Sequence, residues 1–284
     1  MRRRAFLALS GTLGLGGLAG CAGPAGTRTL PTPLPEESGF PDGATYGFGE
    51  TAEAGPTGVT VWNARVRSSD HYRTESGTLD VYAPPGSHLV SVRLTARGDA
   101  RPPLSAFELQ VGEESYPPLS SVAGRPLSAV LSRYDPYSPD AEPDSDGRWL
   151  LFEVPGGVAA ERGAVVWSPA DAPPFYWPLR DRTRSALSQP VPDLSVEAFD
   201  VPATAPADDD PAASLRVANA GDVDGTLRAA LNYAGAFDAS ETLTVSVGAG
   251  DTTTREYGLP WNGQSLDVEL AWAGGSERRT VDPA

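Results

Sequence analysis

The 284-residue chain contains no lysine, so all 22 of its basic side chains are arginine. It has one cysteine, one methionine and two histidines, His71 and His88. A single cysteine excludes an intramolecular disulfide, an iron–sulfur cluster and a multi-thiolate metal site. Two histidines with no downstream cysteine or methionine cannot readily supply a haem or blue-copper centre. No G-x-S-x-G elbow surrounds a serine. No phosphate-cradling glycine loop and no zinc-type pair of histidines is present. Among 31 glycines and 28 prolines there is little room for long helices.

What is present begins at the N-terminus. Arg3, Arg4, Phe6 and Leu7 form the R-R-x-F-L pattern of a twin-arginine export signal. The run from Ala5 to Gly20 is diluted by Gly11, Gly14, Gly16 and Gly17. It falls short of the roughly 20 apolar residues that span a bilayer. Leu18-Ala19-Gly20-Cys21 follows, and it resembles a lipobox. The resemblance implies cleavage before Cys21 and a two-chain lipid on its sulfur, which anchors stably where one chain would not. The expected location is the outer face of the cell membrane, with the lipid at Cys21 as the membrane contact.

The formal net charge is −15, and removal of Arg2, Arg3 and Arg4 with the signal makes the mature chain more acidic still. Many Asp, Glu, Ala, Gly, Thr and Val, without lysine, resemble the composition of extremely halophilic proteins. In molar salt the Debye length falls to roughly 3 Å and the self-repulsion is screened. On this reading the acidity serves solvation. It argues against nucleic acid and anionic lipid as partners, because both need a basic face.

Residues 1–20 read as the signal and 21–57 as the lipidated cysteine plus a Pro/Gly-rich tether. From Val59 onward, apolar and polar residues alternate in short runs bounded by Gly and Pro. Val59–Val66, Thr78–Tyr82, His88–Thr95, Phe107–Val111, Trp149–Pro155 and Ala164–Trp167 are predicted strands. After Ser188-Gln189-Pro190-Val191-Pro192-Asp193, a second set follows at Leu194–Val201, Ala213–Asn219, Gly225–Asn232, Leu243–Val247 and Leu266–Trp272. Leu127 to Arg133 is a short helix or turn. The expected fold is all-β, with two antiparallel immunoglobulin-like β-sandwiches at 58–187 and 188–284.

The stretch from Tyr82 to Leu94, with Pro84-Pro85-Gly86 leading into a V-x-V strand, resembles a telokin-like, immunoglobulin-like domain of bacterial and archaeal lipoproteins. Leu104–Leu109 and Leu151–Pro155 continue the likeness. Arg97-Gly98-Asp99 departs from it, standing where an Asn-containing turn is usual. Leu215–Thr226, a strand, an N-x-G turn and a returning strand, resembles a cell-adhesion-related bacterial (CARDB-like) domain. Both resemblances imply a fold and a cell-surface setting and no activity.

Three groups are candidate sites. Glu142, Asp144 and Asp146, with the Arg148 carbonyl and Glu153, overlay a calcium loop, Gly147 allowing its turn. A solvated acidic loop is the simpler alternative, and calcium is the one cofactor under consideration. Phe175, Tyr176 and Trp177, flanked by prolines, form a candidate aromatic platform or else fill a core. Asp70-His71 with a serine is a remote hydrolase candidate, against a histidine merely solvated in a polar loop. The expectation is a non-catalytic surface lipoprotein, a binding or scaffold module with a possible protein partner at the cell surface. An accessory subunit of a transporter or exported enzyme complex is the alternative, and a secreted hydrolase a more distant one.

Overall fold

The computed structural model describes residues 40, 43–98, 101–140, 147–235 and 238–284. The fold is all-β, as expected. The first sandwich is built from β1 (Ala44–Thr45), β2 (Thr51–Ala54), β3 (Thr57–Arg67), β4 (Asp70–Arg73), β5 (Leu79–Tyr82), β6 (Ser87–Arg97), β7 (Phe107–Val111) and β8 (Glu114–Tyr116). It continues with β9 (Ser121–Val122), β10 (Arg125–Pro126), β11 (Arg148–Pro155), β12 (Gly163–Trp167) and β13 (Phe175–Pro178). A four-stranded sheet, β11-β6-β3-β2, faces a five-stranded one, β1-β13-β12-β7-β8. Alternate residues point inward, as pleating requires. Val59, Val61, Val90, Val92, Leu150 and Phe152 from one sheet meet Phe107, Leu109, Val165, Trp167, Phe175 and Trp177 from the other.

A helix α1 (Asp181–Leu187) follows, which the strand pattern did not predict. It packs on β3, and Leu187 enters the first core. The second sandwich comprises β14 (Leu194–Asp200), β15 (Thr204–Ala205), β16 (Ala212–Asn219), β17 (Gly225–Gly235), β18 (Ala239–Val247), β19 (Thr252–Gly258), β20 (Leu266–Trp272) and β21 (Gly275–Pro283). Its sheets are β14-β16-β19 and β15-β21-β20-β17-β18, closed over Leu215, Val217, Leu231, Val245, Val268 and Leu270. The pairing is not wholly antiparallel. Each five-stranded sheet carries a two-residue edge strand parallel to the sandwich's last strand, β1 beside β13 and β15 beside β21.

Two sequence expectations are corrected here. Residues 43–57, assigned to the tether, supply β1 and β2, and Ala52 is fully buried in the first core. A tether has nothing to bury, whereas here Trp177 Nε1 donates to the Glu50 carbonyl at 3.2 Å. Gly43 lies so close to Tyr176 and Pro174 that a Cβ would collide with both. The second correction concerns His71, which lies buried on strand β4 and not in a solvated loop.

The hairpin β4–β5 forms the seam between the sandwiches, which share one compact unit, Pro33–Ala284. On one side, Tyr72 and Tyr82 pack on a small cluster of Leu89, Trp149, Leu151, Val122, Leu127 and Val130, over the outer face of β6 and β11. On the other side the hairpin lies over β17 and β20, whose outward-facing Ala230 and Ala271 are buried. The Asn232 side chain meets this edge as a strand would. Its Nδ2 donates to the Leu79 carbonyl at 2.9 Å, and the Leu79 N–H donates to its Oδ1 at 2.9 Å. Ser240 donates to the same Oδ1 at 2.7 Å. The His71 ring Nε2 contacts the Ala229 carbonyl at 2.9 Å.

Candidate functional site

The outer face of β3 owes its character to a change of phase. Val59 and Val61 point inward at odd positions, then Ala64 and Val66 at even ones. The ladder to β6 pairs Val61 with Leu94 and then Asn63 with Arg93, which leaves Trp62 as the extra residue of a β-bulge. A bulge re-aims the side chains around it. Trp62 stands out into solvent, 41% exposed, and is the one large hydrophobic side chain that does so among the described residues. The shift also sets Arg65 and Arg67 on the outer face, beside Ser91 and Arg93 of β6.

A loop completes the site. Strand β4 holds it through a Tyr72–Val130 bridge and through the Leu131 N–H, which donates to the His71 carbonyl at 2.9 Å. Beyond Leu131, the loop brings Arg133 and Tyr134 over the sheet. Trp149 Nε1 donates to the Tyr134 carbonyl at 2.7 Å. The Arg93 guanidinium lies 4.1 Å from the Tyr134 ring centre and 5.9 Å from that of Trp62, within range of cation–π attraction. Arg133 lies 5.6 Å from the same Tyr134 ring. The result is a depression of about 290 Å³ lined by Asn63, Arg65, Arg67, Ser91, Arg93, Arg133 and Tyr134.

Four arginines and one carboxylate, that of Asp70, line the depression. Asp70 accepts from Arg67 at 2.8 Å, and Asp135 pairs with Arg148 at 3.3 Å. Arg65 and Arg133 make no ion pair among the described residues. Burial and a hydrogen bond to Asp80 push the Tyr72 phenol up to about 12, so it stays a neutral donor in the hairpin. On a chain of net charge −15, this face is a local reversal of sign.

Beside it runs a cleft of about 590 Å³ between the sandwiches, lined among others by Arg67, His88, Gln189, Asp222, Asp224 and Arg228. Burial, and next the neighbouring Arg67 charge, lower the Arg228 pKa from the usual guanidinium value, while Asp70 opposes the shift. Arg228 has no ion pair among the described residues. The His88 ring Nε2 contacts the Gln189 carbonyl at 3.0 Å. Both histidine rings are therefore engaged by backbone carbonyls. Burial holds the His71 pKa below its usual value of 6.5, against the raising effects of the Ala229 carbonyl and Asp70.

Of the residues singled out from sequence, Asp70 lines the depression. Arg3, Arg4, Phe6, Leu7, Cys21, Glu142, Asp144 and Asp146 fall outside the described residues. Arg148 and Glu153 are both on β11, paired with Leu94 and Leu89 of β6. Five residues of extended strand separate them by roughly 16 Å. They cannot share one calcium ion, whose ligands all sit within about 2.6 Å of it, so the expected loop is not formed at this end. Glu153 instead accepts from the Tyr82 hydroxyl at 3.3 Å. Among the described residues no group of three or more His, Cys, Asp or Glu side chains converges as a metal site.

Phe175, Tyr176 and Trp177 are all buried on β13 and offer no open platform. Phe175 and Trp177 are core, and Tyr176 stacks on Phe40 across the opposite face of the sheet. The residues of the basic face were not singled out from sequence. One available signal is the switch of apolar positions from odd to even between Val61 and Ala64.

No family model matches the chain, and no curated protein does. Among solved structures, a β-glucosidase from Listeria innocua in complex with glucose is similar over 34% of this chain and 16% of its own. The identity is 10% and the TM-score 0.29. At that score the likeness bears on neither activity nor ligand.

Proposed function

We propose that this chain is a non-catalytic binding module, held by lipid at Cys21 on the outer face of the membrane, and that its ligand is anionic. The observation that carries the reading is the depression that Arg65 and Arg133, which make no ion pair among the described residues, line together with Tyr134 on a bulged sheet face. An acidic protein gains no solubility by gathering arginines, and like charges held together repel. An anion relieves that repulsion and accepts bidentate guanidinium hydrogen bonds. Net charge describes the whole surface and does not decide what a single face binds. Two features support a non-catalytic role. The rings of His71 and His88 are engaged by backbone carbonyls, and Asp70 is engaged by Arg67.

The test is retention of the wild-type chain on immobilised polyanions and on neutral polymers. A double variant, Arg65→Glu with Arg133→Glu, serves as comparison. Retention on the polyanions alone, lost in the variant, is expected. Equal retention of both chains, or none of either, refutes the reading.

A further inference from the structure

We infer that the ligand is an acidic glycan long enough to run from Trp62 across the neighbouring depression, past Arg67, to Arg228 in the cleft between the sandwiches. This rests on the binding reading above and adds the ligand's class and length. Arg67 lines both the depression and the cleft, so the two adjoin at its side chain. Arg65 and Arg67 are two residues apart on one face of β3, a step of roughly 7 Å. Arg228 is near enough to Arg67 and Asp70 to feel both charges. One carboxylate, that of Asp70, pairs with Arg67 and acts on Arg228, and leaves an excess of positive charge over these three groups. The cleft's own acids, Asp222 and Asp224, sit in the turn before β17, four to six residues upstream of Arg228. Asp224 also accepts the Ala249 N–H at 3.1 Å.

The seam makes the track rigid. Arg228 precedes Ala229, whose carbonyl meets His71, and lies on the strand that carries Asn232. The hairpin that Asn232 grips also holds the Arg133–Tyr134 loop. Arginines of both sandwiches are thus set in fixed relation, which favours a ligand with charges along its length over a small ion.

Chemistry selects a sugar over an acidic polypeptide. Trp62 offers a ring face, whose negative π cloud suits the C–H face of a sugar ring. Asn63, Ser91 and Ser132 line the depression next to it, on the far side of Arg93, with groups that bond hydroxyls. Aspartate and glutamate side chains present nothing ring-shaped to Trp62.

The experiment uses the full chain with Cys21→Ser, so that lipid plays no part, in the lowest salt that keeps it folded by circular dichroism. Calorimetric titration with oligogalacturonates of one to eight residues should show affinity rising with length. Arg228→Gln should lower affinity for the longest oligomer about tenfold, the loss of one charge-assisted contact. It should leave the disaccharide unchanged, and Arg228→Lys should restore most of the loss. Trp62→Ala should weaken oligogalacturonate binding and leave poly-glutamate as it was. Sulfated oligosaccharides of matched length separate sulfate from carboxylate as the source of charge, and preference for either supports the proposal. Binding that depends on Arg65 and Arg133 but ignores length and Arg228 overturns this inference and leaves the binding reading standing. Poly-glutamate bound as tightly as the glycan, with Trp62→Ala lowering neither affinity, overturns the choice of a sugar. Absence of binding to any anion removes the binding reading itself.

Discussion

Replacing Asn232 by alanine should loosen the seam. Leu79 is 4% exposed and Asn232 5%, and the amide both gives and receives a hydrogen bond with the Leu79 peptide groups. Truncation leaves one N–H and one C=O buried without partners. Each unsatisfied group costs about 1–3 kcal/mol. Because a hairpin edge can shift toward water, the expected total is about 2–4 kcal/mol, a large share of a typical stability of about 5–15 kcal/mol. The loss should be read from urea unfolding followed by tryptophan fluorescence at fixed salt. Trypsin offers a second readout, since Arg73 lies in the hairpin and becomes cleavable when it frays. Asn232→Asp adds a control of sign. A carboxylate still accepts from the Leu79 N–H and from Ser240 but has no hydrogen for the Leu79 carbonyl. This variant should be destabilised at neutral pH. It should recover relative to wild type as the pH falls and the new carboxyl gains an O–H. A cost for Asn232→Ala below about 0.5 kcal/mol, within the range of ordinary surface changes, with Arg73 cleavage unchanged, would refute the view that this amide joins the sandwiches.

Three further outcomes are expected. Trp177→Ala empties the first core at a fully buried ring and frees the Glu50 carbonyl, so thermal or urea unfolding should show a loss of about 3–5 kcal/mol. A chain trimmed to begin at residue 58 lacks β1 and β2 and should fail to give a cooperative transition. One beginning at residue 40 should keep a cooperative transition, and equal behaviour of the two would refute a structural role for 43–57. For His71, burial holds the folded pKa below 6.5, so the unfolded chain binds the proton first as the pH falls. Stability is therefore fully present above about 6.5 and declines below it until the folded value is passed. Urea midpoints at successive pH values should fall more steeply for wild type than for His71→Gln, and identical slopes would sink the assignment.

The class of the fold was legible in the chain itself. Alternation in Val90-x-Val92-x-Leu94 or Leu243-x-Val245-x-Val247 is a property of one pleated strand and needs no partner to be seen. The predicted strands at Phe107–Val111 and Leu266–Trp272 coincide with the observed ones. Strands whose apolar pattern is thin were missed. Thr252–Gly258 carries a single large apolar side chain and forms a strand because β16 pairs with it. Residues 44–54 look like tether because two- and four-residue strands show no period. Only contact with β13 and β3 reveals them.

The arginine face was legible to a smaller degree. Composition alone argued against thiolate and haem chemistry and marked the chain as acidic. It spoke only of the sum of charges. Which arginines share a face depends on a bulge at Trp62, on the pairing of β3 with β6, and on a loop held by a hairpin that itself grips a strand about 150 residues away. Likewise Phe175, Tyr176 and Trp177 read the same in sequence whether they line a ligand site or fill a core. The packing of β12 and β1 on either side of them made them core. Local periodicity dictates what a segment becomes, because it acts through neighbours along the chain. Which face meets solvent and which charges stand together is decided by partners remote in sequence, so only the tertiary structure could assemble the surface that we propose binds.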